Sequence, residues 1–452
     1  MLPKRFLERM KELLCDEFCE FEAALACDAV RGMRINLIKA KGNALDGDTD
    51  IPKRKIEYVE NGYFLDTDTP IGKNPIHHAG LVYMQDPGAM ATLAALDTRP
   101  DYLICDFCAA PGGKTSQAAE RLDSGYILSN EYVPKRTKIL VQNLERLGVK
   151  NAVVTSLDTK KIAELYENVF DLAIVDAPCS GEGMFRKSAE AIEDWSCDNI
   201  AACAKRQANI LENAASTVKP GGYLLYSTCT YAPEENELCV ASFLRHHEGF
   251  KLVPVKEELA ERTRPAIQSL APDIENMQFA RRCYPHVTEG EGQFIALMQK
   301  CTSDATAVYN FRDGAALPSK AESEIVRAFF KENFKEIPDA EVKKVGANLC
   351  LIPRGVKIPP FSVFMSGVLI GEVRGKLLFP SHQLFSAYGT LFKNRVELDK
   401  KTAESYLAGE EIDAPEGILG WCCLTYMGAA LGGGKASGGK IKNHYPKGLR
   451  NK

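Results

Sequence analysis

Long apolar runs are the first thing this sequence lacks. The longest stretch without a charge, Gly417 to Gly434, is rich in glycine and carries Thr425 and Tyr426, so it reads as a buried pair of strands and not as a membrane span. The amino-terminal MLPKRFLERMKELL is basic but has no uncharged apolar stretch of the kind a signal peptide needs, and its apolar spacing suggests a surface helix. A cytoplasmic protein is expected. An overall basic excess is missing as well. With 56 Lys and Arg against 60 Asp and Glu, the net charge of -4 leaves nucleic-acid binding to a local patch. Metal frameworks are absent too. Fifteen cysteines are scattered without regular spacing, and the single C-x-x-C, Cys105 and Cys108, has no second pair or histidine near it. Zinc wants four ligands, so no metal site is expected. The thiols read as reduced, buried or reactive rather than bridged. His77, His78 and His286 read as surface or packing residues, and no internal repeat or low-complexity tract is found.

What is there is an ordinary globular composition, 45% hydrophobic and 26% charged, on a chain too long for one core. Residues 1–92 mix helix and strand signals, with RGMRINLIKA (Arg31 to Ala40) and GYFLDTD (Gly62 to Asp68) as strands. From Asp101 the pattern becomes regular. Apolar strands YLICDF, GYILSN, NAVVTS, FDLAIVDA and GGYLLYS alternate with helical segments, followed by a helix, EENELCVASFLRHH, and a closing strand, GQFIALMQK. This alternation predicts a doubly wound α/β unit over 93–300, a parallel sheet with helices on both faces. Cys301 to Leu317 reads as a linker. It opens a first C-terminal domain, 301–379, with a helix SEIVRAFFKENF and a strand-like run FSVFMSGVLIGEV; 380–452 forms a second. From Gly417 onward there is no Asp or Glu, while Lys435, Lys440, Lys442, Lys447, Arg450 and Lys452 are basic and His444 and Tyr445 lie among them. That asymmetry, with its Gly-rich turns, predicts a phosphate-binding surface.

The segment ICDFCAAPGGKTSQAA has Asp106 at a strand end and runs through small residues, Pro111, Gly112 and Gly113 into a helix. Ligand crevices of open α/β sheets lie beyond the carboxyl ends of the strands. Two glycines let a ligand approach the backbone, and the helix start offers unpaired N–H groups. The G-x-G-x-x-G pyrophosphate fingerprint is absent from this loop. Acids then mark the ends of the next strands: Glu131, Asp158 and Asp176. Glu131, eighteen residues after Gly113, suits ribose hydroxyls. Asp158 suits an adenine amine, and Asp176 the substrate. A nucleoside cofactor without pyrophosphate points to S-adenosyl-L-methionine.

Two further segments, DAPCSGEGMFRKS (Asp176 to Ser188) and YSTCTYAPEENE (Tyr226 to Glu237), each set a cysteine in a tight polar turn after a strand. Packing has no need of Cys179 or Cys229 in such turns, whereas nucleophilic catalysis needs a thiolate. Both are expected to face the crevice from neighbouring strands. The residues alone leave open which of them attacks. Arg186 and Lys187 read equally as phosphate contacts or as a solvated loop.

CAAPGGKT, DAPCSGEG and YSTCT followed by EEN together resemble the Sun family of RNA cytosine-5 methyltransferases. The ending GGGKASGGKIKNHYPKGLR and the total length are similar to its RsmF-like branch, which acts on 16S rRNA of the small ribosomal subunit; RGMRIN, QDPGAM and PHVTEGEGQF also fit. The clearest departure is GQF (Gly292 to Phe294), where a second Phe is common. The resemblance implies an S-adenosylmethionine-dependent, Rossmann-like methyltransferase core. It also implies an α+β RNA-binding domain over 1–92 and a PUA-like RNA-binding domain over 380–452. It implies that Cys108, Ala109, Ala110, Pro111, Gly112, Gly113 and Lys114 form the main cofactor loop, with Glu131, Asp158 and Asp176 as further contacts. The family's nucleophile falls on Cys229, and its second cysteine, with a role in product release, on Cys179. In the implied reaction a thiolate adds to carbon 6 of cytosine, carbon 5 takes the methyl group, and loss of the carbon-5 proton expels the thiol. Asp176 would either donate to ring nitrogen 3 or hydrogen-bond to the exocyclic amine. The alternatives are a tRNA cytosine-5 methyltransferase with the same core and a catalytically silent RNA-binding assembly factor.

Overall fold

The computed structural model describes residues 2–40, 51, 53–66, 70–301 and 305–451. The end of the GYFLDTD segment past Asp66, and 302–304 of the expected linker, lie outside the described residues. The doubly wound unit stands at the centre. Along the chain it comprises β1 (Leu103–Asp106), α1 (Gly113–Ala119), β2 (Tyr126–Asn130), α2 (Pro134–Leu147), β3 (Ala152–Thr155), α3 (Thr159–Leu165), β4 (Phe170–Asp176), α4 (Cys197–Thr217), β5 (Val218–Thr228), α5 (Glu237–His246) and β6 (Gln293–Lys300). The sheet runs β6-β5-β4-β1-β2-β3, with β1 to β5 parallel and β6 antiparallel to β5. The order turns back between β1 and β4, the point where open sheets of this kind hold their ligand crevice, beyond the carboxyl ends of the strands.

Side chains alternate across this sheet, and both faces are covered, which is why its strands read as unbroken apolar runs. Cys105, Leu128, Val153, Ala173 and Val175 belong to one core; Ile104, Ile127, Val154, Leu172 and Ile174 belong to the other. The helices follow the complementary rule. On α2, Thr137, Leu140, Leu144 and Leu147 are buried at three- and four-residue spacing, Pro134 opens the helix, and Gly148 at φ 72° closes it.

Ahead of the core, four antiparallel strands form a sheet in the order Lys53–Lys55, Gly62–Leu65, Arg31–Ile35, Val82–Met84. The strand expected over 31–40 stops at Ile35 because Asn36 turns the chain. Its Nδ2 donates to the carbonyls of Gly80 and Leu147, and its Oδ1 accepts from Ile38 N. Arg34 fastens this sheet to the core. Its side chain is 1% exposed, pairs with Glu120, and donates to Gln85, Ser116 and the Gly113 carbonyl.

The segment expected as a linker is packed onto the core. Val308–Tyr309 pairs with Tyr166–Glu167, and the rings of Tyr309 and Phe311 lie against Tyr166. The run FSVFMSGVLIGEV divides at Gly367, whose φ is 60°. Its first half, Val363–Ser366, pairs antiparallel with β3 as the edge of the central sheet, while Val368–Arg374 joins a separate five-stranded sheet. A last five-stranded sheet takes Arg395–Glu397, Gly420–Tyr426, Ala429–Ser437, Lys440–Asn443 and Ile412–Asp413. Part of the glycine-rich run is strand, not turn. A Cβ on Gly433 would sit 2.2 Å from the Phe385 ring, so glycine there lets the helix His382–Tyr388 lie flat on the sheet. The turn itself is Gly438 and Gly439, both at positive φ. Among the described residues no helix is long and apolar enough to cross a membrane.

Arg34 is the joint between the first sheet and α1. Replacing it by Met would leave Glu120, also 1% exposed, buried without its partner. A loss of about 3–5 kcal/mol is expected, measured as a lower urea midpoint; an unchanged midpoint would show that the pair holds nothing together.

Candidate functional site

The loop after β1 is shaped from beneath and clamped from outside. Gly112 at φ 111° turns the chain into α1, a conformation open to glycine. Arg136 of α2 donates to the Ala110 carbonyl at 2.9 Å and Asn143 to that of Pro111 at 2.9 Å, while Ala109 N donates to the Asn130 carbonyl at 2.8 Å. Below the loop Asp106 is fully buried. Thr115 Oγ1 donates to its Oδ2 at 2.7 Å, its Oδ1 has no partner, and burial pushes its carboxyl up to about 7. Burial also pushes the Cys108 thiol well up, so it is a poor thiolate.

The strand-end acids divide into two kinds. Glu131 is 3% exposed; its Oε1 accepts from Val133 N at 3.0 Å and its Oε2 faces Arg136 at 3.3 Å. Asp158 is exposed and caps α3, its Oδ1 accepting from Lys160 N at 2.9 Å. That is the ordinary work of an acid before a helix. Glu131 and Asp158 both present carboxylate oxygens at the carboxyl ends of neighbouring strands. Lys114, the one cation of the loop, is engaged with Asp176 at 2.8 Å and not held ready for a pyrophosphate. With the unpartnered Asp106 oxygen and the glycine-lined helix start, the set fits S-adenosylmethionine.

Asp176 ends β4, directly opposite Ser227 of β5. Ser227 Oγ donates to its Oδ1 at 2.7 Å and Gln293 Nε2 does so at 3.3 Å. Just beyond, the sulfurs of Cys179 and Cys229 stand 3.1 Å apart, both as free cysteines. The two turns are stitched together. Ser180 Oγ and Thr230 Oγ1 lie 2.7 Å apart, Gly183 N donates to the Cys229 carbonyl at 2.9 Å, and Ser180 N donates to Glu235 at 3.0 Å. Asn236 braces the second turn, accepting from Thr228 at 2.6 Å and donating to the Thr230 carbonyl at 3.0 Å. The hydrogen bond with Cys229, together with burial, holds Cys179 well above the usual thiol range.

Sequence reasoning singled out the cysteines and the strand-end acids and passed over Glu182, Glu235 and Gln293. The first two lay in plain view inside the motifs, but nothing local reveals which loop an acid will reach. One reading is corrected. Arg186 is neither a phosphate contact nor solvated; it is buried, donating to Glu291 at 3.0 Å and to the carbonyls of Gly290 and Ala24 at 3.2 Å. Lys187 is exposed and pairs with Asp86. The histidines are packing residues. His78 bonds Tyr445 at 2.9 Å, His286 bonds Glu17 at 3.1 Å, and burial pushes His77 down to about 3. Among the described residues no group of three or more His, Cys, Asp or Glu is placed to hold a metal. In the acid-free terminal run, Lys435 lies over the Trp421 ring and Lys440 pairs with Asp413. Lys442 and His444 line a groove of about 810 Å3 shared with Arg374 and Phe379.

Two outcomes are expected here. Glu131→Ala should weaken S-adenosylmethionine binding by about 1–3 kcal/mol, since buried hydroxyls would lose their acceptor; unchanged affinity in calorimetry would reduce Glu131 to a turn residue. At pH 8, iodoacetamide should modify Cys179 at least about tenfold more slowly than the exposed Cys301. Equal rates by peptide mass spectrometry would show that Cys179 ionises as a thiol in water does.

Residues 93–299 match the family described as 16S rRNA methyltransferase RsmB/F, 2–87 the N-terminal domain of 16S rRNA methyltransferase RsmF, and 393–451 the methyltransferase RsmF PUA domain. Among curated relatives, the ribosomal RNA small subunit methyltransferase F of Aeromonas salmonicida is 29% identical, over 99% of this chain and 97% of its own length. The protein of the same name from Vibrio cholerae is also 29% identical, with the same shares covered. A methyltransferase homolog protein from Pyrococcus horikoshii is 31% identical over 66% of this chain and 95% of its own, with a TM-score of 0.57. NSun6 from the same organism, at 22% identity and a TM-score of 0.57, shares the fold over 67% of this chain and 99% of its own. With the doubly wound core, the cofactor loop and all three domain matches in register, the chain belongs to the 16S rRNA methyltransferase RsmB/F family and takes S-adenosylmethionine as its methyl donor.

Proposed function

We propose that this protein methylates carbon 5 of a cytosine in 16S rRNA, through a covalent bond between Cys229 and the base. The observation that carries this reading is the pair of free thiols 3.1 Å apart, at the mouth of the crevice and one turn from the Lys114–Asp176 ion pair. Packing alone has no use for two facing thiols there. The names of the curated relatives support the small-subunit RNA as substrate over tRNA.

The chemistry follows from the residues. Bound S-adenosylmethionine supplies an electrophilic methyl group. Cys229, as thiolate, adds to carbon 6 of the cytosine, and the ring electrons then make carbon 5 nucleophilic. Asp176 works as an acceptor. Lys114 meets its Oδ2, and Ser227 and Gln293 donate to its Oδ1, an arrangement that supports a hydrogen bond from the exocyclic amine rather than proton donation to nitrogen 3. After methyl transfer, carbon 5 loses its proton to a base and the bond to Cys229 breaks. Cys179, whose sulfur lies 3.1 Å from that of Cys229, gives its own thiol proton to the departing sulfur and is left to be reprotonated from solvent. The last sheet, with Lys435 and Lys442 on its surface, positions the RNA by phosphate contacts.

Cys229→Ser should abolish both methyl transfer and denaturant-stable protein–RNA adducts, whereas Cys179→Ser should attack and then stall as such an adduct. The opposite pattern on denaturing gels would reverse the two roles. The substrate is tested by bisulfite sequencing of rRNA and tRNA from a strain without the gene. A lost 5-methylcytosine in 16S rRNA is expected; a loss confined to tRNA would overturn that assignment. Lys435→Glu with Lys442→Glu should weaken RNA binding and lower its salt slope by about one per lost phosphate contact, with S-adenosylmethionine affinity retained. An unchanged slope would move the RNA surface elsewhere.

A further inference from the structure

Four bridges join the Cys179 turn to the Cys229 turn, and two of them end on carboxylates. Ser180 meets Thr230 through hydroxyls, Gly183 N meets the Cys229 carbonyl, and Ser180 N meets Glu235. The fourth is Glu182, three residues after Cys179 and fully buried. Its Oε2 accepts from Tyr231 N at 3.2 Å, two residues after Cys229. Its Oε1 accepts from Trp195 Nε1 at 2.7 Å. Both oxygens also lie 2.6 Å from one nitrogen of Arg9, which comes from the amino-terminal helix Lys4–Leu14. No other cation contacts this carboxylate, among the described residues, so its charge is compensated from a different part of the chain.

The surroundings are built around that contact. Phe6 of the same helix packs edge-on against Phe185 with centroids 5.0 Å apart, and Phe21 packs edge-on against Tyr231 at 5.2 Å. The amino-terminal helices therefore grip the residue that follows each thiol turn, Phe185 on one side and Tyr231 on the other. Close approach leaves little slack. A Cβ on Gly183 would lie 2.6 Å from the Gly292 carbonyl and 3.0 Å from that of Cys229. A carboxylate in this place, held by a cation of another unit, has the position and the rigidity to set how far apart the two turns stand.

We propose that Glu182 is a positioning residue that sets the separation of the Cys179 and Cys229 sulfurs, and that Arg9 of the amino-terminal helix holds it in place. Docking of that helix then assembles the dithiol. This rests on the covalent reading for its effect on turnover, but the sulfur separation is measurable without any RNA.

The test uses the full chain with Glu182→Gln, Arg9→Ala and Arg9→Lys. Phenylarsine oxide bridges two close thiols, forming two As–S bonds and releasing one water, and peptide mass spectrometry locates the bridge. Wild type should bridge Cys179 to Cys229, and the Cys179→Ser and Cys229→Ser controls should not. Glu182→Gln and Arg9→Ala should bridge the pair slowly, and Arg9→Lys should recover part of the rate. With 5-fluorocytosine RNA, whose carbon-5 substituent cannot leave, the rate of adduct formation in Glu182→Gln should fall by up to about a hundredfold, as an ångström of misplacement can cause. S-adenosylmethionine affinity should stay at the wild-type value, showing that the core is folded. Wild-type bridging and adduct rates in both Glu182→Gln and Arg9→Ala would overturn the proposal. If Glu182→Gln loses cofactor binding, the Arg9 pair decides: equal bridging in Arg9→Ala and wild type overturns the role, and rescue by lysine supports it. If wild type itself forms no adduct, the covalent reading fails, while the arsenical rates still decide the positioning role.

Discussion

The parallel pairing of β4 with β5 is the constraint on which the site depends. It sets Ser227 opposite Asp176, so the turns that follow the two strands leave the sheet side by side. A shift of one residue would turn every side chain of one strand to the opposite face and part the two motifs. Strands of this kind, apolar on both faces, resist such a slip because each register position fills one of two cores. Everything chemical in the crevice is an extension of that register: the acceptor Asp176 at the strand end, then Cys179, with Cys229 across from it.

Buried Arg–Glu pairs carry the geometry outward from there. Arg34–Glu120 joins the first sheet to α1, Arg9–Glu182 joins the first helix to the thiol turns, Arg186–Glu291 ties the turn after Cys179 to the loop leading into β6, and Arg282–Glu237 locks the start of α5. Such pairs are weak sources of net stability, because desolvation offsets most of the attraction. Breaking one is costly, because a lone buried charge remains. They thus act as joints that permit one arrangement and penalise the others. Glutamates supply all four carboxylates, and each arginine reaches a second acceptor besides its partner or packs against a ring, as Arg9 does over Phe6.

The carboxyl-terminal sheet is joined to the rest by a different device. Lys39 is partly buried and donates to the carbonyls of Ala79 and Ala430 and to Ser386 Oγ, one group from each of three neighbouring segments. Burial pushes its ammonium down to about 7. His78 and Tyr445 make a second contact across the same junction. The lysines on the surface of that sheet are thereby held in a set relation to the central unit, so a tethered domain of independent orientation does not describe this chain.

Much of this was legible in the sequence for a local reason. Unbroken apolar runs alternating with helical segments imply a doubly wound sheet covered on both faces, and glycine, proline and cysteine in turns mark where backbone or chemistry is exceptional. Cys179, Cys229, Asp176 and the Cys108–Lys114 loop could be picked out because their residue types are costly or pointless in the places they occupy. What only the tertiary structure decided are the partners. Asp158 turned out to cap a helix, Arg186 to be an internal strut, Lys187 to pair at the surface with Asp86, and Val363–Ser366 to leave its own unit for the edge of the central sheet. Glu182 looked like any acid in a turn until Arg9 and Tyr231 were seen on either side of it. A sequence determines what each side chain can do over a few residues, by propensity and periodicity. Which groups meet across a hundred residues or more depends on how elements pack, and that distance is where the chemistry of this site is set.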